Sequence, residues 1–279
     1  MLLPRLSVVI VTYNSRAHID RCLGSLVEHP PATDHEIVVV DNASTDGTAG
    51  DTRQRWTGIR VVDAGANLGF ARANNLGIQQ TRGGLILLLN PDTIVPPGAI
   101  DRLIAALDAR PDAAIAGPRL VNGDGRAELS FGAMLTPLAE LWRKALARGG
   151  ERRLRAVTMY VEWLTRRPRD VDWVSGACML VRRADAEAAG LMDERYFMYV
   201  EDVDFCAAVR ARGRKVLFAP AAEIVHFRGQ SRLAAAVATE HAYRRSQIAF
   251  YEKHHPRWVR ALRVYLKIRG RLPDKSSKP

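Results

Sequence analysis

The feature that most constrains this chain is a series of short, almost wholly apolar runs in its first third, each ending on a polar or acidic residue. Ser7–Thr12 reads SVVIVT, residues 36–40 read EIVVV and run into Asp41, Ile59–Asp63 reads IRVVD, and Leu85–Leu89 reads LILLL before Asn90-Pro91-Asp92. A strand without polar alternation has no face for water, so such runs belong inside a layered sheet. Between them lie helical patterns. Ile19, Cys22, Leu23, Leu26 and Val27 recur at helical spacing behind Ser15, a plausible cap; residues 69–80 read as a helix; and Ile100, Leu103, Ile104 and Leu107 share a face behind Pro97, which suits a first helical turn. Alternation of this kind folds as a doubly wound, mostly parallel α/β sheet.

After a further strand at Ala113–Gly117 the rhythm changes. Asn122-Gly123-Asp124-Gly125 is turn chemistry, and residues 135–169 form a basic amphipathic insertion. Trp173–Val181 returns to strand character, and Glu201–Arg212 reads as a helix. Lys215–Phe218 and Glu223–His226 read as short strands, and a basic helical tail broken by Pro256 follows. The predicted layout is one α/β domain over residues 1–231, with halves 1–120 and 121–231 and an insertion at about 135–170, followed by a tail over 232–279. A chain of 279 residues with 47% hydrophobic content can bury such a core.

The net charge of +11 suggests a nucleic-acid partner until it is located along the chain. Nine Lys/Arg against three Asp/Glu lie between Trp142 and Asp170, and twelve against three from Gln230 onward, leaving 20 basic against 24 acidic residues elsewhere. The positive excess therefore belongs to the insertion and the tail. In the tail, Ile248, Phe250, Tyr251, Trp258, Leu262 and Tyr265 interleave with Arg257, Arg260, Arg263 and Lys267. Two readings stay open: a helix lying on an anionic membrane surface, or one packing its apolar face on the domain. Cys22, Cys178 and Cys206 are odd in number and far apart, so no disulfide framework is expected. No run approaches the roughly 20 apolar residues of a membrane span, and the N-terminus passes straight into a strand pattern, so the expected location is the cytoplasm, peripheral on the inner membrane face where the tail binds lipid.

In open α/β sheets ligands bind beyond the carboxyl ends of the strands. Here those ends carry Thr12-Tyr13-Asn14, Asp41-Asn42, Asn67-Leu68-Gly69 and Asn90-Pro91-Asp92. One strand-end Asp is usually a cap or a turn; four polar ends in succession point to a site.

From Leu6 to about Ser231 the chain resembles the inverting family-2 glycosyltransferases of GT-A fold, in particular their rhamnosyltransferase-like members. The resemblance rests on SVVIVTYN (7–14), EIVVVDNASTDGT (36–48), NLGFARANN (67–75), LLLNPDT (87–93), SGACMLVRR (175–183), FMYVEDVDFCAAVRARG (197–213) and the strand end at His226. It implies a GT-A, Rossmann-like sheet flanked by helices, carrying the basic helical insertion and tail. It also implies transfer of a sugar, L-rhamnose from dTDP-rhamnose, to a saccharide or lipid-linked saccharide in cell-surface polysaccharide synthesis.

The implied roles run as follows. Asp41 accepts from the imide of a uracil or thymine ring, with Thr12, Tyr13 and Asn14 framing the base and ribose. Asn67 and Gly69 lie along the nucleotide. Asn90-Pro91-Asp92 stands where the family carries its acidic metal motif, with Asn in the first acidic position. Asp92 then holds Mg²⁺ or Mn²⁺ on the donor diphosphate, and His226 is a further ligand. Asp202 is the general base, at a helix N-terminus that favours its ionised form. Glu201, Gly176, Ala177 and Trp173 face the acceptor, although Trp173 is equally at home in a core. The implied donor is dTDP- or UDP-linked and no nucleic acid is expected. The rival readings are a hexosyltransferase using a UDP-sugar, and a non-catalytic membrane- or nucleic-acid-binding module, which would leave Asp92, Asp202 and His226 without a purpose. A nucleotidyltransferase would need a glycine-rich loop after the first strand, where Tyr13-Asn14-Ser15 has none.

Overall fold

A computed structural model describes residues 3–227 and 236–273. The expected domain boundary at Ser231 and the first residues of the tail lie outside the described residues. The strands are β1 (Leu6–Thr12), β2 (His35–Asp41), β3 (Arg60–Asp63), β4 (Leu85–Leu89), β5 (Thr93–Ile94), β6 (Ala113–Val121), β7 (Phe131–Gly132), β8 (Arg169–Val171), β9 (Trp173–Val174), β10 (Cys178–Arg182) and β11 (Lys215–His226). The helices are α1 (Arg16–Glu28), α2 (Thr48–Arg55), α3 (Phe70–Gln79), α4 (Ala99–Asp108), α5 (Pro137–Glu151), α6 (Arg155–Leu164), α7 (Arg183–Ala188), α8 (Glu201–Ala211), α9 (Ala236–His254) and α10 (Val259–Ile268).

Nine strands form one sheet in the order β3-β2-β1-β4-β10-β6-β11-β5, with β8 also on β11. The four runs read from the sequence make its parallel half: β1 pairs in parallel with β2 and β4, and β2 with β3. Every residue of β1 and β4 is buried, as expected of strands covered on both faces. The chain leaves β1 towards β2 on one side and reaches β4 on the other, so the carboxyl ends of β1 and β4 form the crevice of a topological switch point. Helix α3 lies directly over this half: a Cβ at Gly77 would stand 2.4 Å from Val9 Cγ1, so only glycine lets the helix approach this closely.

Several expectations are corrected. Ser15 does sit at the N-cap position of α1, but its hydroxyl donates to the Tyr13 carbonyl; Thr48 Oγ1 and Asp46 Oδ2 accept instead from the Ser15 and Arg16 amides. Pro97 stands before α4, whose N-cap is Gly98 with φ 68°. Trp173–Val181 is not one strand. Ser175-Gly176-Ala177 break it, because the chain crosses from β7 to the end of β4: Ser175 N–H donates to Ser130 O and Asn90 N–H to Ala177 O. Beyond the break, β10 runs antiparallel between β4 and β6. The two short strands expected over 215–226 are one strand, β11, kinked where its register on β6 shifts between Ala219 and Glu223.

The insertion is a helical hairpin, α5–α6. In the tail, α9 packs on the domain: Phe250 and Tyr251 join the cluster that contains Val9, Met179 and Phe218. Two buried carboxylates hold it there. Glu140 of α5 accepts from Gln247 and from Tyr251 at 2.9 Å, and Asp204 of α8 accepts from Lys253 at 2.8 Å, from His254 at 2.6 Å and from Tyr196 at 3.1 Å. Helix α10 buries only Leu266 and exposes Val264, Tyr265 and Ile268, with Trp258 exposed just before it. Among the described residues no helix is long and apolar enough to cross a membrane.

Candidate active site

Thr12 and Asp41 are register partners at the ends of β1 and β2. Both are buried, and neither Thr12 Oγ1 nor Asp41 Oδ1 has a hydrogen-bond partner. Asp41 spends only its second oxygen, which accepts from Ser44 N–H at 3.1 Å. Asn14, with φ 49°, locks this corner by accepting from Thr45 N–H and donating its own amide to Ser44 Oγ. Tyr13 is exposed beside it. Asn67 is exposed, and its Oδ1 accepts from Gly69 N–H and from Asn42 Nδ2, so its side chain braces the loop that leads into α3.

Across the crevice, at the end of β4, Asn90 Oδ1 and Asp92 Oδ1 are likewise buried without a hydrogen bond. The chain turns at once into β5, which pairs His226 with Thr93, and Phe227 N–H donates to Asp92 O. This crossing carries His226 Nε2 to 3.3 Å from Asp92 Oδ1, within ion-pair distance although outside hydrogen-bond geometry. His226 Nδ1 faces Glu128 Oε2 at 3.4 Å. Burial opposes protonation of His226, but the two carboxylates outweigh it and hold its pKa above the ordinary value. Glu128 was missed by sequence reasoning, since nothing local marks a residue 98 positions from its partner. Among the described residues no group of three or more His, Cys, Asp or Glu is arranged so that it could hold a metal ion by itself. A cation here would therefore rest on Asp92 and His226, with its remaining ligands drawn from phosphate and water. The buried, unpartnered Asp92 oxygen facing an imidazole nitrogen fits that role.

Asp202 opens α8, and its two oxygens accept from Gly176 N–H at 3.0 Å and Val203 N–H at 2.8 Å. Burial raises its pKa, moderated by those two amides and by the positive charge of Arg143. Glu201 is buried, with Oε2 unpartnered, and burial together with the neighbouring Asp202 charge raises its pKa well above the usual value. Both follow Tyr199 and Val200 at φ 69° and 71°, a left-handed pair that costs a β-branched residue strain and turns the start of α8 towards the crevice. Arg143 belongs to the basic insertion, and α5 carries it over the Trp173 ring at 5.7 Å and within electrostatic reach of Asp202. Gly176 packs under Phe70 and the Asp202 Cβ, while Ala177 is buried. Trp173 is 4% exposed and donates to Ala133 O at 2.9 Å, so its ring is a wall of the core.

The mostly parallel sheet flanked by helices, with polar residues at its strand ends, has the architecture of the GT-A glycosyltransferases. The solved mannosyltransferase PcManGT from Pyrobaculum calidifontis, in complex with GDP-Man and Mn²⁺, shares the fold with a TM-score of 0.61 at 18% identity, over 94% of this chain and 69% of that one. More particularly, the chain belongs to glycosyl transferase family 2, whose model matches residues 7–172. It is 33% identical to the N-acetylglucosaminyl-diphospho-decaprenol L-rhamnosyltransferase of Mycobacterium tuberculosis, over 98% of this chain and 94% of that protein. It is 29% identical to the low-salt glycan biosynthesis hexosyltransferase Agl10 of Haloferax volcanii, over 75% of this chain and 62% of that protein.

Proposed function

We propose that this glycosyltransferase moves L-rhamnose from dTDP-rhamnose, with inversion, to a hydroxyl of a lipid-linked saccharide at the inner face of the cytoplasmic membrane. The reading is carried by Asp202, a carboxylate of raised pKa held by two backbone amides opposite two pairs of buried, unpartnered oxygens. The likeness to the mycobacterial rhamnosyltransferase, whose name specifies a diphospho-decaprenol acceptor, supports the sugar and the lipid.

Thr12 and Asp41 receive the base, Asp41 Oδ1 accepting the imide N–H that thymine and uracil both present, and Asn14 and Tyr13 border the ribose. Gly69 lets backbone approach the nucleotide. Asp92 and His226, steadied by Glu128, hold a divalent cation; when bound, Mg²⁺ or Mn²⁺ neutralises charge on the departing diphosphate. Asp202 takes the proton of the acceptor hydroxyl as its oxygen attacks the anomeric carbon. A single base without a covalent nucleophile gives one displacement and inversion. Gly176, Ala177 and Glu201 shape the acceptor side beside it.

A thermal-shift panel of dTDP-, UDP- and GDP-sugars with and without Mg²⁺ or Mn²⁺ tests the donor. The largest shift should come from dTDP-rhamnose with metal. A larger shift with a UDP-hexose transfers the reading to hexosyl transfer, and no shift with any nucleotide sugar overturns it.

A further inference from the structure

Apart from the donor crevice, the fold holds an open cavity of about 360 Å³ beneath the α5–α6 hairpin. Its walls are hydrocarbon and aromatic, among them Leu129, Phe131, Leu146, Leu164 and Trp173. Two guanidinium groups face it: Arg143 over the Trp173 ring and Arg169 over the Phe131 ring, each at 5.7 Å. Its two acidic neighbours are engaged elsewhere. Asp172 pairs with Arg210 at 2.7 Å and accepts from Met134 N–H, and Asp170 pairs with Arg110 at 3.0 Å and Lys215 at 3.2 Å. Among the described residues neither Arg143 nor Arg169 has a carboxylate at ion-pair distance, and Arg143 Nε is buried without a partner.

Apolar walls with unpaired cations complement an amphiphilic anion. A free phosphate would leave the walls unused, and a neutral hydrocarbon would leave the guanidiniums unpaired; a hydrocarbon chain ending in phosphate satisfies both. The outer face of the hairpin points to the same ligand. Leu138, Trp142 and Trp163 are 80%, 59% and 63% exposed, and Trp142, Tyr160 and Trp163 form a run of ring contacts at 6.4 and 6.1 Å. Aromatic rings set among arginines belong at the headgroup level of a bilayer. Trp142 lies both on this face and on the cavity wall, so the cavity opens where a lipid would enter. Arg143, on the cavity wall, is also near enough for its charge to favour the ionised form of Asp202.

We propose that this cavity seats the phosphate–hydrocarbon junction of the lipid-linked acceptor, with the hairpin resting on the membrane and the saccharide directed to Asp202. The inference rests on the lipid-linked acceptor reading above.

The test is calorimetric titration of the full chain, without divalent metal, with farnesyl diphosphate, farnesol and inorganic diphosphate. Farnesyl diphosphate should bind, and a nucleoside diphosphate should not displace it; farnesol and inorganic diphosphate should each bind at least about tenfold more weakly. Arg169→Gln should weaken the prenyl diphosphate about tenfold, and Ala139→Trp, which fills the cavity from α5, should abolish its binding. The nucleotide-sugar thermal shift shows that each variant is folded. Absence of binding, displacement by a nucleoside diphosphate, equal binding of inorganic diphosphate, or indifference to both variants overturns the proposal. Any of these results with transfer to a lipid-linked saccharide intact removes the cavity site alone. Absence of transfer to any lipid-linked saccharide removes the acceptor reading, whichever way the probe binds.

Discussion

Replacing Gly69 with alanine should damage catalysis as well as stability, because the Phe197 segment it displaces leads directly into Asp202. Gly69 has φ 79° and ψ 175°, a region open to glycine alone, and a Cβ there would stand 2.3 Å from the Phe197 carbonyl oxygen and 2.7 Å from its ring. The backbone strain costs about 1–3 kcal/mol, and moving Phe197 aside costs roughly 1–3 kcal/mol more. The sum, about 2–6 kcal/mol, corresponds to a fall in Tm of roughly 4–24 °C for a chain of this size. Phe70 N–H donates to the same carbonyl at 2.7 Å, and the chain runs from Phe197 through the left-handed Tyr199 and Val200 into Asp202. A displacement of Phe197 therefore reaches the carboxylate, and kcat should fall by about 100-fold at temperatures where the variant is still folded. Gly190→Ala is the control: its φ is 86°, but nothing lies within 4 Å of the added carbon, so it should lose only about 1–2 kcal/mol and keep its kcat. Thermal unfolding and steady-state transfer, measured on both variants, decide the matter. Equal losses of Tm in the two, or wild-type kcat in Gly69→Ala, would refute the reasoning.

Three further outcomes follow from the same geometry. Glu128→Gln should raise the Mn²⁺ concentration needed for half-maximal transfer by about 10–100-fold, because the imidazole of His226 loses its orienting carboxylate; metal titration of initial rates reads this out. The acid limb of kcat/KM should lie above the ordinary carboxylate value of about 3.9, because Asp202 must be ionised to act and burial raises its pKa. Arg143→Gln removes a charge that favours the ionised form, so a pH–rate profile should show the limb moved to higher pH. Asp204→Asn should cost about 2–4 kcal/mol in denaturant unfolding, since Lys253 and His254 lose a buried acceptor. Because its partners hold the Asp204 pKa below the usual value, that stabilisation is present above the unfolded-state pKa and is lost as pH falls through the folded one.

The parallel half of the sheet was legible because β1, β2 and β4 each carry an unbroken apolar run, and the polar residues that end those runs could be read as a site for the same reason. Strand direction was not legible. The apolar run of β10 carries no sign that it lies antiparallel between β4 and β6, and the break at Ser175–Ala177 exists only because β7 draws the chain aside. In the tail, Arg244 and Gln247 look like the solvated face of a helix, yet Glu240 pairs the arginine and Glu140 receives the amide, so both are buried. Glu128 and Arg143 escaped for a different reason: each acts through a contact made only by tertiary folding, one behind His226 and one over Trp173.

The most direct test of the central claim is transfer itself, followed by NMR of the product's anomeric configuration. Purified protein given dTDP-rhamnose, Mn²⁺ and a lipid-linked saccharide should form a rhamnoside inverted at the anomeric carbon. Asp202→Asn should bind the donor as the wild type does but turn over at least about 100-fold more slowly. Retention of configuration, or undiminished turnover by Asp202→Asn, would contradict the assignment of Asp202 as the base of a single displacement.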